Sequence, residues 1–371
     1  MSGEGRVHVT VGDVAREAGV SVATAARALG DYGSVSAKSR ARVEQAAASL
    51  GYSPNMVARS MITGSTKTIG VIVADIENQF FQRVLRGITH ITSERGYDLV
   101  LANTDESLDR ERRALRVMTS RRVDGIILSP TEVADTQEIR AVAESGVPIV
   151  LIDRRLRGVN VDSVGIRNRG ATYDATTRLI SLGHKHIAVI TGGTAESAPV
   201  LKNATVATLR RLSATTLGTR TAGYREALEA AGLAYQSDFV AANGFRQEDA
   251  RAATVAFFAL PDPPTAIIAF DSLLSLGVLQ GLRDVGARSP DDVSLIGFDD
   301  APWAEVVDPP LTVIGQPTLE IGVQAATLLL DRLAGRGRAH VHHRLETTLI
   351  ERGSVGLPRL NGVPTGPRAG L

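Results

Sequence analysis

Cysteine is missing from this chain of 371 residues. Its absence excludes disulfides, thiolate nucleophiles and zinc sites built on cysteine. Aromatic residues make up only 4% of the sequence. No apolar run reaches the roughly 18 residues that a membrane-spanning helix requires, so no membrane partner is expected. The opening residues, MSGEGRVHV, hold no apolar stretch, and no signal peptide is expected. Localisation should therefore be cytoplasmic. A charge excess of one sign is also lacking, because 41 Lys and Arg face 40 Asp and Glu for a net charge of +1. That balance excludes a global polycation. Any contact with nucleic acid must come from a local patch.

What is present is a long, mixed, ordinary composition, 43% hydrophobic and 22% charged, as in soluble globular proteins. The length exceeds one ordinary core and predicts two or three domains. The most telling segment is the first sixty residues. Val9 to Leu29 reads VTVGDVAREAGVSVATAARAL, two short helix patterns joined by a turn. Thr10 caps the first, with Asp13 at capping-box spacing. Val11, Val14, Ala15 and Ala18 form its apolar stripe, and Gly19 suits the left-handed residue that ends it. Ser21 caps a second helix, Val22 to Leu29, which stops at Gly30. Ser36 caps a third, Ala37 to Leu50, with Val43, Ala46, Ala47 and Leu50 facing inward and Gly51 closing it.

In such a helix-turn-helix, the second helix lies in the major groove of DNA with its N-terminal residues at the base edges. The outward candidates are Val22, Ala23 and Arg27. Arg27 can bond guanine or phosphate, and Val22 and Ala23 can meet thymine methyl groups. Ser21, Thr24, Lys38 and Arg40 suit phosphate contacts, which set register without reading sequence. The bland alternative is an Ala-rich three-helix core. Charge alone does not decide, since residues 8–64 carry six Lys or Arg against four acids. The next segment does. Pro54 and Asn55 open a helix of about eight residues, Met56 to Thr63, too short to be stable alone in water. It is expected to order when packed against a two-fold mate and DNA, with Met61 as an apolar wedge in the minor groove.

DVAREAGVSVATAARAL followed by VSAKSRARVEQAAASLGYSPNMVARSM resembles the LacI/GalR family of bacterial transcription regulators. The likeness continues through IGVIVADIENQFF, GIILSP, VPIVLIDR, LGHKHIAVITG, AGYREALEAAGL and VSLIGFDDAPWAEVVDPPLTVIGQP, covering about Thr10 to Ser354. The resemblance implies an α/β protein: an N-terminal all-α helix-turn-helix headpiece plus a two-lobed periplasmic-binding-protein-like body with doubly wound parallel sheets. It implies that Thr10, Ser21, Val22, Ala23, Thr24, Arg27, Lys38, Asn55, Ala58, Arg59 and Met61 serve DNA binding. Two departures stand in the headpiece. Ala25-Ala26 replaces the usual Val-Ser before Arg27, which removes a phosphate-bonding hydroxyl at Ala26. Met61 stands where the wedge is usually Leu, and Met is more flexible.

The expected boundaries are 8–53 for the helix-turn-helix, 54–66 for the hinge helix and linker, and 67–353 for the effector-binding and dimerisation domain. Within the last, an N-lobe of about 67–166 and 297–325 and a C-lobe of about 167–296 and 326–353 are expected. Residues 354–371, rich in Gly and Pro and without heptads, are expected to be disordered.

The body reads as repeated βαβ units. Strand patterns run Ile69 to Val73, Asp98 to Ala102, Gly125 to Leu128 and Pro148 to Ile152. A second set has strands at His186 to Thr191, Ala266 to Ala269 and Ser294 to Phe298. Continuous apolar β-branched runs such as IGVIV mark buried parallel strands, and alternation with helices predicts doubly wound sheets. Ligands in such sheets sit at strand C-termini. The loop residues there are Asn78, Phe80 and Phe81, then Asp153, then Arg220, Asp271, Ser272 and Asp299. By resemblance, Arg220 and Asp299 hydrogen-bond ligand hydroxyls and Phe80 or Phe81 stacks on a sugar or base. Asp271 stands where the family usually has Asn, and Ser272 where it usually has Asp. An Arg fork with acceptor carboxylates can grip a polyol. The competing reading is that Asp153 and Asp299 cap turns while Phe80 is core. The extra acid at Asp271 must be paired, so it is expected to accept from ligand hydroxyls or an amine.

Between Gly193 and Arg220 the chain holds about twenty residues more than the family usually does, read as an enlarged loop at the cleft mouth. His340, His342 and His343 lack a spaced carboxylate and read as surface side chains rather than a metal site. Arg110, Arg112 and Arg113 read as a solvated helix face. Leu273 to Leu282 is apolar on more than one face and fits either core or dimer interface. No P-loop or G-x-S-x-G elbow appears, so no cofactor and no catalytic residue are expected.

The combined expectation is a ligand-responsive, sequence-specific DNA-binding regulator, a repressor of carbohydrate-related genes. Its partners are double-stranded operator DNA, a sugar or polyol effector and a second copy of itself, since a two-fold operator needs a two-fold protein. When bound, it would lie on the nucleoid. A transporter's solute-binding protein would need a signal peptide and no headpiece. An enzyme using Asp153, Asp271 and Asp299 would leave the headpiece unexplained.

Overall fold

The computed structural model describes residues 9–30, 33–52, 60, 64–131, 136–156, 158–193, 197–211, 215–242, 244–337 and 339–359, with side chains 206, 210 and 211 excepted. It divides into two units, residues 1–68 with 122–124, and the remaining body.

The headpiece is three helices, α1 (Val11–Glu17), α2 (Val22–Gly30) and α3 (Ala37–Leu50). Their ends are set by local chemistry. The Thr10 hydroxyl accepts from the Asp13 amide at 3.3 Å while the Asp13 carboxylate accepts from the Thr10 amide at 2.9 Å, a complete capping box. Ser36 caps α3, and Gly51 closes it in the left-handed region at φ 63°. Val14, Ala15, Ala18, Ala25, Ala28, Val43, Ala46 and Ala47 make a small buried core.

The body is built on two six-stranded sheets of duplicated order. The first holds β1 (Thr68–Val73), β2 (Asp98–Asn103), β3 (Gly125–Leu128), β4 (Ile149–Ile152), β5 (Asp162–Ile166) and β11 (His342–Leu345). The second holds β6 (Ile187–Ile190), β7 (Val240–Ala241), β8 (Ala266–Ala269), β9 (Ser294–Phe298), β10 (Thr312–Gly315) and β12 (Thr348–Ile350). Spatial order is β11-β5-β4-β3-β1-β2 and β12-β10-β9-β8-β6-β7. The pairings along β11-β5-β4-β3-β1 and along β10-β9-β8-β6-β7 are parallel, and β10 with β12 is antiparallel. The central strands are buried on both faces, which is why they read as unbroken apolar runs.

Helices cover both sheets: α4 (Gln79–Glu94), α5 (Leu108–Ser120), α6 (Gln137–Glu144), α7 (Asn168–Ser181), α8 (Ser197–Lys202), α9 (Val206–Arg211), α10 (Thr216–Ala230), α11 (Gln247–Phe258), α12 (Ser272–Val285) and α13 (Thr318–Leu333). Among the described residues no helix is long and apolar enough to cross a membrane.

The lobe boundaries differ from expectation. The chain passes between lobes three times, at 166–168, 315–318 and 345–348. Residues 297–315 belong to the second sheet, not the N-lobe, while α13 packs on α4 and the first sheet, and β11 pairs with β5. The C-lobe therefore does not own 326–345. Residues 354–359 are also not a loose tail. The Ser354 carbonyl accepts from Leu295 and its hydroxyl from the Thr312 amide at 2.8 Å. The remaining tail, 360–371, lies outside the described residues. Nor is the stretch from Gly193 to Arg220 one open loop. It folds into α8 and α9, and Leu201, Ala204 and Leu209 are buried in the main core. Leu274, Val278 and Leu282 of α12 are core as well, packed against α11.

Candidate functional site

In the headpiece, α2 presents an open N-terminal turn. Ser21, Val22 and Ala23 are exposed, and Val22, at 56%, is a large apolar side chain left in water. Ser21 caps the helix through the Thr24 amide at 3.1 Å and bonds the Thr24 hydroxyl at 2.8 Å. Arg27 Nε bonds the Ala23 carbonyl at 3.1 Å, which draws its guanidinium along the helix. Lys38 is exposed, and Arg40 donates to the Ala28 carbonyl at 3.2 Å, tying α3 to the end of α2. Ala25 is fully buried and Ala26 half-buried, so a hydroxyl-free surface adjoins Arg27. Asn55, Ala58, Arg59 and Met61, with most of the stretch expected to form the hinge helix, lie outside the described residues.

In the body, the strand ends of the two lobes line one cleft of about 770 Å³. Asn78, Phe80, Phe81, Asp153, Arg220, Asp271 and Asp299 all line it. Ser272 does not, and is buried in the first turn of α12. Arg220 is not on a loop as expected. The Thr215 cap starts α10 early, so Arg220 stands one turn inside a helix. Its Nε donates to Asn168 Oδ1 at 2.7 Å, another nitrogen donates to the Phe270 carbonyl, and the guanidinium carbon lies 3.6 Å from the Phe298 ring centroid. This buried cation is fixed by three partners of different kinds. Burial lowers its pKa, and Asp153, Asp299 and Asp271 oppose that shift.

Three carboxylates surround this one cation. Burial raises the Asp153 pKa against the pull of Arg154 and Arg220. Burial likewise pushes Asp271 up to about 6 and Asp299 up to about 7. Asp271 is the N-cap of α12, accepting from the Leu274 amide at 2.8 Å, so a structural role for it accompanies any binding role. Asn78 caps α4 through the Phe80 amide at 3.0 Å. Phe80 and Phe81 are both buried, edge-to-face at 4.9 Å, and both line the cleft.

Several cleft residues escaped the sequence reading. Gln316 donates to Asp299 Oδ1 at 2.6 Å, and its own Oε1 is buried with no partner among the described residues. Arg154 is buried and held by Glu106 through bonds of 2.8 and 2.5 Å. Phe245, half-buried, supplies a further aromatic wall. The position of Gln316 just past a strand end was the one available signal. His342 hydrogen-bonds Ser163 at 2.9 Å and His343 hydrogen-bonds Gln324 at 3.1 Å, while His340 lies 3.6 Å from Asp162. Among the described residues no group of His, Asp and Glu could hold a metal.

Residues 10–55 match the model for bacterial regulatory proteins of the lacI family, and residues 176–355 match a periplasmic binding protein-like domain. The HTH-type transcriptional regulator RegA of Clostridium saccharobutylicum is 32% identical over 346 residues, 93% of this chain and 99% of RegA. The chain belongs to the LacI family of bacterial transcriptional regulators. Catabolite control protein A of Priestia megaterium is 33% identical, over 87% of this chain and 92% of that protein. A solved complex of the transcriptional regulator CelR with cellobiose superposes with a TM-score of 0.66 at 32% identity, covering 93% of this chain and 99% of CelR. These relatives are regulators and not enzymes. This LacI-family chain is accordingly a ligand-responsive, DNA-binding transcriptional regulator, with the headpiece as its DNA-binding domain and the cleft in its binding-protein-like body.

Proposed function

We propose that this LacI-family regulator is a repressor of carbohydrate-related genes whose effector is a sugar or polyol held in the cleft. The observation that carries this reading is the set of acceptors around Arg220. Asp153, Asp271, Asp299 and the unpartnered Gln316 Oε1 offer acceptors for several hydroxyls at once, beside a fixed guanidinium donor. The aromatic side chains of Phe80, Phe81 and Phe245 on the cleft wall suit the apolar face of a sugar ring. The CelR relative, solved with cellobiose, supports the same ligand class.

In this reading, the protein acts as a homodimer on a two-fold operator. Val22, Ala23 and Arg27 meet the major groove, with Thr10, Ser21, Thr24, Lys38 and Arg40 on phosphates. Asn55, Ala58, Arg59 and Met61 belong to the hinge helix in the minor groove. Effector binding changes the angle between lobes and so the pairing of the hinge helices, and linkage requires DNA to change effector affinity by the same factor. A melting-temperature screen of sugars, polyols and nucleosides, followed by footprinting of the native promoter with each hit, tests the proposal. A stabilising sugar that shifts operator affinity supports it. Stabilisation by nucleosides alone, or no promoter preference over scrambled DNA at low salt, refutes it.

A further inference from the structure

The body holds a second cavity, of about 630 Å³. It shares Asp153, Arg154 and Thr216 with the effector cleft, but its charge is opposite. Arg155, Arg167, Arg169 and Arg344 line it against two carboxylates, Asp153 and Glu226. Glu226 is committed to Arg169 at 2.6 Å, and Arg167 faces Glu346 at 3.2 Å. Arg155 and Arg344 have no acidic partner among the described residues.

The helix α7 starts in this wall. Its N-cap is Arg167, which makes no side-chain cap bond. A guanidinium has no acceptor to offer the first-turn amides, and cations at a helix N-terminus oppose its dipole. Arg167 and Arg169 therefore flank an uncapped helix start with charge of the unfavourable sign, a mismatch that a bound anion would relieve.

Asn168 supplies an independent sign. Its residue is only 7% exposed, and it lines the cavity. Its Oδ1 accepts from Arg220 Nε at 2.7 Å. Because Arg can only donate, the oxygen is fixed on that side. The remaining NH2 has no partner among the described residues, a donor left over on a nine-tenths-buried side chain.

We propose that this cavity is a second ligand site, for a small molecule that bears a phosphate group. The helix amides, the Asn168 NH2, Arg155 and Arg344 are all donors, which suits an acceptor-only dianion. Tyr173 and Thr219 line the rest of the space and suit a polar remainder of the ligand. Since Asn168 also holds Arg220, one side chain links the two cavities.

Calorimetric titration of the full-length protein with pyrophosphate, at ionic strength held constant with potassium chloride, tests the site. Saturable binding is expected, weakened at least tenfold in the Arg155→Ala/Arg344→Ala double variant. Both side chains are exposed, so the fold should survive, and Arg344→Glu alone gives a second variant with the same expected loss. Absence of saturable binding to the wild type, or binding within twofold in both variants, overturns the proposal. The measurement needs no DNA and no cleft ligand, so its failure leaves the reading of the first cavity untouched.

Discussion

Asp153 and Asp299 occupy the same place in two copies of one topology. Each follows the fourth strand of its sheet, at φ 65° and 70°. Each donates its amide across to the fifth strand, Asp153 to Val164 at 3.1 Å and Asp299 to Ile314 at 2.9 Å. A left-handed non-glycine residue costs on the order of 1 kcal/mol, and such strain gathers at binding sites. Here both strained residues bring a carboxylate to the wall of the shared cleft, one from each lobe.

Asp299 should make the stability of the fold depend on pH. Burial lifts its folded pKa to about 7, against an ordinary value of 3.8. A raised carboxyl pKa means that the neutral form fits the fold better. The stability it contributes is complete below the ordinary value and is lost as pH rises through about 7. Asp299→Asn keeps the shape without the charge, and Asn tolerates positive φ. Thermal melting from pH 4 to pH 8 should show the variant gaining on the wild type up to about pH 7, by on the order of 4 kcal/mol, and holding constant above it. A gap that does not change with pH would show that Asp299 is not the titrating group.

Asp271 combines a cap with a position in the cleft, and two substitutions separate these. Asn caps a helix as well as Asp, so at pH 4, where the buried carboxyl is neutral, Asp271→Asn should alter stability by less than about 0.5 kcal/mol, whereas Asp271→Ala should cost about 1 kcal/mol. Affinity for the stabilising sugar should fall in both variants. Unchanged affinity in Asp271→Asn would confine the residue to its capping role.

Much of this was legible locally. Thr10, Ser36 and Gly51 end helices through atoms within a few residues, so the headpiece elements could be read directly. Gly125–Leu128, Ala266–Ala269 and Ser294–Phe298 announced themselves as strands because burial on both faces demands unbroken apolar runs. Lobe membership past residue 297 could not be read, because nothing local to β10 or α13 states which sheet each joins. The short helices α8 and α9 hid in an Ala- and Thr-rich stretch whose helicity comes from packing Leu201 and Leu209. Gln316 and Glu106 were invisible for the same reason, since their importance depends on Asp299 and Arg154, partners 17 and 48 residues away.

Two glycines hold the N-lobe together by letting helices touch at the backbone. A Cβ on Gly87 of α4 would lie 2.2 Å from the Leu319 carbonyl oxygen, and one on Gly322 of α13 would lie 2.1 Å from that of Val84. No rotamer change relieves a clash with backbone. Gly87→Ala and Gly322→Ala should each destabilise by about 1–3 kcal/mol or more. Because both force the same helix pair apart, the double variant should lose less than the sum. Urea melts of the three variants measure this, and additive losses would mean that the two contacts yield independently.

Glu106 and Arg154 present the reverse case, a buried charge pair whose partners cannot be changed one at a time. Arg154 is 7% exposed and Glu106 15% in their side chains. The carboxylate accepts both terminal nitrogens of Arg154, one of which also donates to the Pro130 carbonyl at 2.7 Å. Glu106→Gln preserves volume but takes away the nearer of the two carboxylates that face the guanidinium, the other being Asp153 at 3.5 Å. Breaking such a pair from one side typically costs about 3–5 kcal/mol, because the surviving ion stays desolvated. Replacing both residues removes that ion, so Glu106→Gln/Arg154→Met should be more stable than Glu106→Gln alone. Denaturant melts at pH 7 distinguish the outcomes. A double variant less stable than the single one would show that the guanidinium contributes through Pro130 and its packing, and that its charge needs no partner at Glu106.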